Sequence, residues 1–422
     1  MKLAALILFI MMYALMIARP KYRPYIALTT AVIFIAAGIL PLSMVAETIN
    51  WNVLLMITGT MIIVYYFIDS GMPVLLADFL LSKSENAMWV TIRMSVFAGL
   101  ISAFIDNVST VLIVAPIGLA ICRKLRIDPV GMILSISVSS NLQGAATLVG
   151  DTTSIMLGDY AHMNFMDFFW MSGRPGIFFA VELGALATIP VMMILFRNYK
   201  DPVPPVEKTK VNDYLPTAML ILMVIALITA SFIPDTPDIT NGVICCVLAV
   251  ITVIIDTIRD RNTEDTVASV RTLDFGTLGL LLGLFIVIGG LTNAGLINHI
   301  ADLIVKAGGN NLFLLYTIIV WGSVAISAFV DNIPYVATML PVLTAVTASL
   351  GVEPYLLYFG LLSGATLGGN ITPIGASANI AAVGLLESNG YKVSFADFIR
   401  IGVPYTLVAV LVGYIYLWIV WA

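Results

Sequence analysis

Two stretches of an otherwise apolar chain carry the same ionisable dipeptide: residues 101–111 read ISAFIDNVSTV and residues 326–336 read ISAFVDNIPYV. Asp106-Asn107 and Asp331-Asn332 stand 225 residues apart (331 − 106). A carboxylate beside a carboxamide can hold a small cation, accept a proton or cap a helix. Two polar runs interrupt apolar sequence elsewhere, GDTTS at 150–154 and GASAN at 375–379, again 225 apart (375 − 150). They add Gly150, Asp151, Thr152, Thr153, Ser154, Gly375, Ser377 and Asn379 to the candidate ion- or substrate-binding residues, with Thr372 just upstream and Thr147 opposite it. If Na⁺ is bound, Asp106, Asn107, Asp331 and Asn332 are its candidate ligands. Asp151 faces Ala376, so a third carboxylate makes the site asymmetric.

The elements that position these residues follow from composition. The 422-residue chain is 60% hydrophobic and 11% charged, with mean hydropathy +1.02, whereas soluble domains carry roughly 25% charged residues. Its apolar runs are long and repeated, which makes it an all-α polytopic membrane protein. Apolar segments of spanning length fall near 3–18, 24–41, 52–68, 130–157, 175–196, 214–233, 241–257, 275–292, 355–384 and 404–421. That gives about ten transmembrane helices. RPKYR follows the first without a small-residue cleavage site, so the sequence predicts a retained span rather than a signal peptide. Two further apolar pairs, 87–104 with 108–122 and 312–329 with 333–347, flank the Asp-Asn dipeptides. An arm of about 15 residues reaches only about 22 Å, short of a ~30 Å hydrocarbon core. Each pair (87–122 and 312–347) therefore reads as a re-entrant helical hairpin with Asp-Asn at its tip.

Basic residues orient the spans. Arg19, Lys21 and Arg23 mark the first loop as cytoplasmic, as do CRKLR (122–126), Arg197, Lys200, Lys208 and Lys210, then Arg259, Arg261 and Arg271, and finally Lys392 and Arg400. PDTPDIT is acidic and falls outside; Arg174 and Lys306 are the exceptions. Both termini are then extracytoplasmic, in the plasma (inner) membrane.

The correspondence extends along the chain: Gly59 faces Gly283, Gly71 faces Gly295, Pro116 faces Pro341 and Gly150 faces Gly375. The sequence divides into a first repeat (1–200), a cytoplasmic linker (201–213) and a second repeat (214–422). Each repeat holds five spans and a hairpin. Five is odd, so the second repeat runs inverted. Inverted repeats with interrupted helices in matching positions point to a secondary transporter with its site near the midplane.

Other readings stand beside this one. Asp106, Asp331 and Asp151 could serve only as helix caps. Glu182 suits a polar helix contact as well as transport. Cys122, Cys245 and Cys246 read as small buried hydrophobes, with trivalent-arsenic ligation as the functional alternative. Neither they nor the two histidines have zinc or haem spacing, no cofactor is implied, and no basic stripe suits nucleic acid.

At AFIDNVSTVLIVAP, AFVDNIPYVATMLP, GDTTS and LGGNITPIGASANI the chain resembles the ion transporter superfamily, in the branch holding arsenite permeases, the melanosomal P-protein and certain sodium–proton antiporters. The resemblance covers nearly the whole chain. It implies an elevator mechanism in a homodimer, with helices 72–83 and 296–307 linking the moving unit to a scaffold. Dicarboxylate–sodium symporters of similar architecture carry Ser-Asn-Thr at each tip, and here Asp106 and Asp331 replace the Ser. P-protein-like chains read Gly-Asp-Pro-Pro-Asn where this chain reads GDTTS, so an Asn is missing at Ser154.

The expected function is a secondary active transporter of an arsenite-like or other small anion, coupled to H⁺ or Na⁺. Sodium–proton antiport is the close alternative; a sodium-coupled carboxylate symporter is more distant. An intramembrane aspartyl enzyme, which Gly150-Asp151 resembles locally, would need its second Asp on a neighbouring helix rather than at mirrored tips. The chain has no Walker A sequence, so an ATPase would have to be a separate partner. Small ions and the bilayer are its other expected partners.

Overall fold

The structure is a computed structural model that describes residues 2–203, 209–211, 213–260, 264–309 and 311–422. Lys208 and Arg261, two of the orienting basic residues, lie outside the described residues. The first half contains α1 (Lys2–Ala18), α2 (Arg23–Ala36), α3 (Val45–Thr48), α4 (Trp51–Asp69), α5 (Met72–Ser82), α6 (Ala87–Ser102), α7 (Asn107–Leu125), α8 (Val130–Gly144), α9 (Thr152–Tyr160) and α10 (Ile177–Leu195). The second contains α11 (Leu215–Ala230), α12 (Thr240–Asp260), α13 (Glu264–Arg271), α14 (Phe275–Asn293), α15 (Leu296–Gly308), α16 (Leu312–Ser327), α17 (Asn332–Leu350), α18 (Tyr355–Gly368), α19 (Ser377–Ser388) and α20 (Phe395–Trp421). One two-residue strand pair, Trp170–Met171 with Arg174–Pro175, interrupts this all-α pattern.

Among the described residues, seven helices are long and apolar enough to cross a membrane, or eight if the bent pair α15–α16 counts as one. Two of the seven are the hairpin arms α7 and α17, each 19 residues. An arm of that length reaches about 28 Å, not about 22 Å. The expected shortness of 108–122 is thereby corrected, because Asn107 opens the helix and Arg123–Leu125 continue it. The other expected spans are α1, α2 and α11, of 17, 14 and 16 residues, and the interrupted pairs α8/α9 and α18/α19.

Local sequence explains why the halves fold alike. Asn50 caps α4 by accepting from Val53 N, and Asp274 caps α14 by accepting from Thr277 N. Asn86 and Asn311 do the same for α6 and α16. Gly71 and Gly295 take left-handed φ values of +75° and +70° in the turns into α5 and α15, a conformation that only glycine adopts without steric cost.

Packing repeats the pairing across the halves. α12 packs on α4 as α2 packs on α14, α6 on α8 as α16 on α18, and α7 on α19 as α17 on α9. A Cβ on Gly59 would sit 2.4 Å from the Cys245 carbonyl carbon, and one on Gly283 2.6 Å from that of Ala27. Each glycine thus admits a helix of the opposite half. The described part of the linker lies against the first half, where Thr209 N and Oγ1 donate to Asp78 Oδ2 at 2.9 and 2.6 Å.

Candidate functional site

The two hairpin tips are built by helix capping. Asp106 accepts from Ser109 N at 3.0 Å to start α7, and Asp331 accepts from Ile333 N at 3.1 Å to start α17. The capping role is therefore present at both tips. Each interruption is then fastened to the tip of its own half. The Thr147 hydroxyl donates to Ala103 O, and the Thr372 hydroxyl donates to Ala328 O. Gly150 passes so close that a Cβ would lie 2.6 Å from both Gly144 O and Ser102 O. At Gly375 the same distances are 2.5 Å to Gly369 O and 2.8 Å to Ser327 O. Any side chain there would collide with backbone.

Asp151 breaks the symmetry. It stands where a cap of α9 would stand but makes no capping bond. Its Oδ2 instead accepts from Thr153 Oγ1 at 2.8 Å and from Asn332 Nδ2 of the opposite hairpin at 3.3 Å. Since the single Thr153 hydroxyl proton goes to Asp151, Thr366, 3.0 Å away, supplies the donor in that pair. Asp151 is only 2% exposed, so these bonds replace its water.

A buried carboxamide network joins the halves. Asn107 Nδ2 donates to Asn141 Oδ1 at 2.9 Å; Asn141 Nδ2 donates to Asn370 Oδ1 at 2.8 Å and Asn379 Oδ1 at 2.9 Å. Asn379 Nδ2 donates to Gly369 O and Thr372 O at 2.9 and 3.0 Å. With both ends engaged, Asn379 acts as a strut. Ser154, its counterpart, makes the equivalent bond to Gly144 O at 3.3 Å, and its shorter side chain takes it no further.

These elements surround a small, partly open polar cavity. Asp106, Asn107, Asp151, Thr152, Asn332 and Ser377 line it, joined by Thr60 of α4 and by Asp274 and Thr277 of α14. Of the other expected residues, Gly150, Thr153, Ser154, Thr372, Gly375 and Asn379 shape the walls from behind. Asp331 turns away from the cavity. Its Oδ2 lies 2.7 Å from Arg23 Nη1 and accepts from Ser377 Oγ at 3.1 Å. Arg23 is accordingly not a free loop charge: it opens α2 and is 8% exposed.

Sequence reasoning missed Arg23, Asn141, Thr366, Asn370, Asp274 and Thr277. The signals available were the polar run SVSSN (137–141) inside a span and the DFGT (274–277) start of α14. Cys122 contacts Met132 Sδ at 3.6 Å and Cys246 donates to Leu55 O at 3.3 Å. Neither they, Cys245 nor Glu182 lines the cavity. Among the described residues, no group of three or more His, Cys, Asp or Glu could hold a metal ion.

The N-termini of α7, α9, α17 and α19 meet around this space. Helix N-termini favour negative charge, and here Asp106, Asp151 and Asp331 supply it. No Lys, Arg or His lines the cavity. The anion positions at these helix ends are thus filled by the protein's own carboxyl groups.

Interrupted helices and paired hairpins around a buried polar centre are the architecture of a secondary transporter, and the chain is a membrane transporter rather than an enzyme. It belongs to the CitMHS family, described as citrate transporters, whose sequence pattern matches residues 13–362 and 266–422. The 46 kDa membrane protein of Mycobacterium leprae is 30% identical, covering 99% of each chain. An uncharacterized transporter of Mycobacterium tuberculosis is 29% identical over 99% of each. The human P protein is 26% identical over 96% of this chain, which spans 58% of that protein. In fold, the chain is similar to the YdaH transporter of Alcanivorax borkumensis, with TM-score 0.63 and 13% identity over 94% of this chain and 96% of that one. For MtrF of Neisseria gonorrhoeae the values are 0.57 and 14%, over 93% and 84%.

Proposed function

We propose that the chain is a cation-coupled secondary transporter in which Asp106 and Asp151 hold a mobile H⁺ or Na⁺. The observation that carries this reading is the small cavity lined by both carboxylates, with no basic side chain in it. Asn107, Asn332, Thr152 and Ser377 offer neutral oxygens around the same space. The two halves, 1–200 and 214–422, are inverted repeats joined by 201–213. The unit made of α6–α9 and α16–α19 slides as an elevator against α1, α2, α4, α11, α12 and α14. The protein works as a homodimer in the plasma (inner) membrane with both termini extracytoplasmic.

Cargo follows two lines. The family description supports an anion-class cargo of the carboxylate kind, moved together with the cation, and the arsenite-like species expected from the sequence belongs to the same line. The absence of basic lining residues favours the second line, in which Na⁺ and H⁺ are themselves exchanged. Reconstitution in proteoliposomes under imposed Na⁺ and pH gradients, with citrate, arsenite or neither present, tests both. Gradient-driven flux is expected. Flux that does not saturate and ignores both gradients would make the protein a passive channel.

A further inference from the structure

Arg23 is a charged residue that the cation-coupled mechanism does not yet use. Its Nη1 lies 2.7 Å from Asp331 Oδ2, with both side chains buried. Alongside, the Tyr13 hydroxyl of α1 donates to Pro334 O at 2.6 Å and lies 2.7 Å from Thr338 Oγ1. These contacts join the cap and the first two turns of α17 to α1 and α2, and α2 packs on α14. The titratable or charged groups around Asp331 are Arg23 from α2, Tyr13 from α1 and Asp151 from the start of α9. Ser377 of α19 is a neutral donor.

The first hairpin has no such partner. α2 and α12 are equivalent by their seats, since Ala27 meets Gly283 as Cys245 meets Gly59. Four residues earlier, Arg23 therefore corresponds to Asn241, which is neutral and lines a different cleft beside Asn52 and Asp238. Among the described residues Asp106 has no basic partner within salt-bridge distance.

We propose that Arg23 is a tethered cation that latches the second hairpin to α2 through Asp331, releasing it only when a mobile cation or a proton takes the guanidinium's place. The proposal rests on the cation-coupled reading above. A guanidinium stays protonated at any physiological pH. Pulling Asp331 away from it unassisted would leave two buried charges uncompensated, which is strongly unfavourable. A proton or Na⁺ at Asp331 removes the attraction. Arg23, at the first residue of α2 and next to the polar turn Arg19–Tyr22, can then extend its head towards water. Because Asn241 cannot do the same for Asp106, the latch is one-sided and biases the empty transporter towards the conformation seen here.

The test is hydrogen exchange of segment 329–340 in the full chain reconstituted in lipid nanodiscs, paired with flux in proteoliposomes. In wild type the segment should be protected without Na⁺ at alkaline pH and loosen when Na⁺ or acid is added. R23Q should lose about tenfold of that protection and should lower the cation concentration for half-maximal flux about tenfold, since removing an internal competitor raises the competent fraction. R23K, which keeps the charge, should retain the cation response. Equal protection and equal cation dependence in wild type and R23Q would overturn the latch. Should R23Q fail to fold, R23Q/D331N, which removes both buried charges, takes its place: loss of protection supports the latch and wild-type protection overturns it. A wild type without any cation-driven flux would sink the coupled reading, whereas the exchange comparison would still decide the latch.

Discussion

The first hairpin ends at Asp106, which caps α7 and faces the cavity; the second ends at Asp331, which caps α17 and faces Arg23. Their backbones are near copies, down to the Thr147 and Thr372 hydroxyls on Ala103 O and Ala328 O. Their chemistry is not. One carboxyl group faces the cavity with no basic partner among the described residues, while the other is held by a residue of α2. Asp151, opposite Ala376, adds a second asymmetry on the cavity side. The two halves share a frame, and the departures from that likeness give each hairpin its own partners.

The comparison can be broken by truncating both tips. Asp331→Ala leaves Arg23 buried without its counter-charge and should destabilise by about 3–5 kcal/mol. Asp106→Ala removes a cap and should cost about 1 kcal/mol. Thermal unfolding in detergent reads the difference, and equal shifts would mean that the ion pair carries no special weight.

Where the halves are alike, substitutions should act alike. Gly150→Ala and Gly375→Ala each drive a methyl into backbone carbonyls and should destabilise by about 1–3 kcal/mol. A large shift in one and none in the other would show that the tight turn matters in one half only. Thr147→Val and Thr372→Val remove matching hydroxyl bonds and should each cost about 1 kcal/mol. Unequal midpoints in this pair would locate the asymmetry in the frame itself.

Much of this architecture is legible in the sequence because a constant offset of 224–225 carries glycines, prolines and caps together (283 − 59; 331 − 106). The hairpin arms come out too short because Asn107 and the basic Arg123 and Lys124 read as flanks, although all three lie within one helix. Arg23 is hidden for a related reason. A basic residue beside a polar turn reads as a topology marker, and only the fold brings it to a residue 308 positions away. Asn141 escapes notice because its counterpart is Thr366, so the repeat gives it no emphasis. Polar residues with the same type in both halves are easy to see. Of those that differ, Asp151 opposite Ala376 shows in the sequence, whereas Arg23 and Asn141 need the structure.

The central claim is that Asp106 and Asp151 hold the coupling cation. Flux driven by a Na⁺ or pH gradient, measured in the same liposomes for wild type, Asp106→Asn and Asp151→Asn, tests it most directly. Asparagine keeps the shape and most hydrogen bonds of each site but removes the charge. The account predicts gradient-driven flux in wild type and a loss of about tenfold or more in each folded variant. Wild-type rates in both would reduce the two carboxylates to structural groups and contradict it.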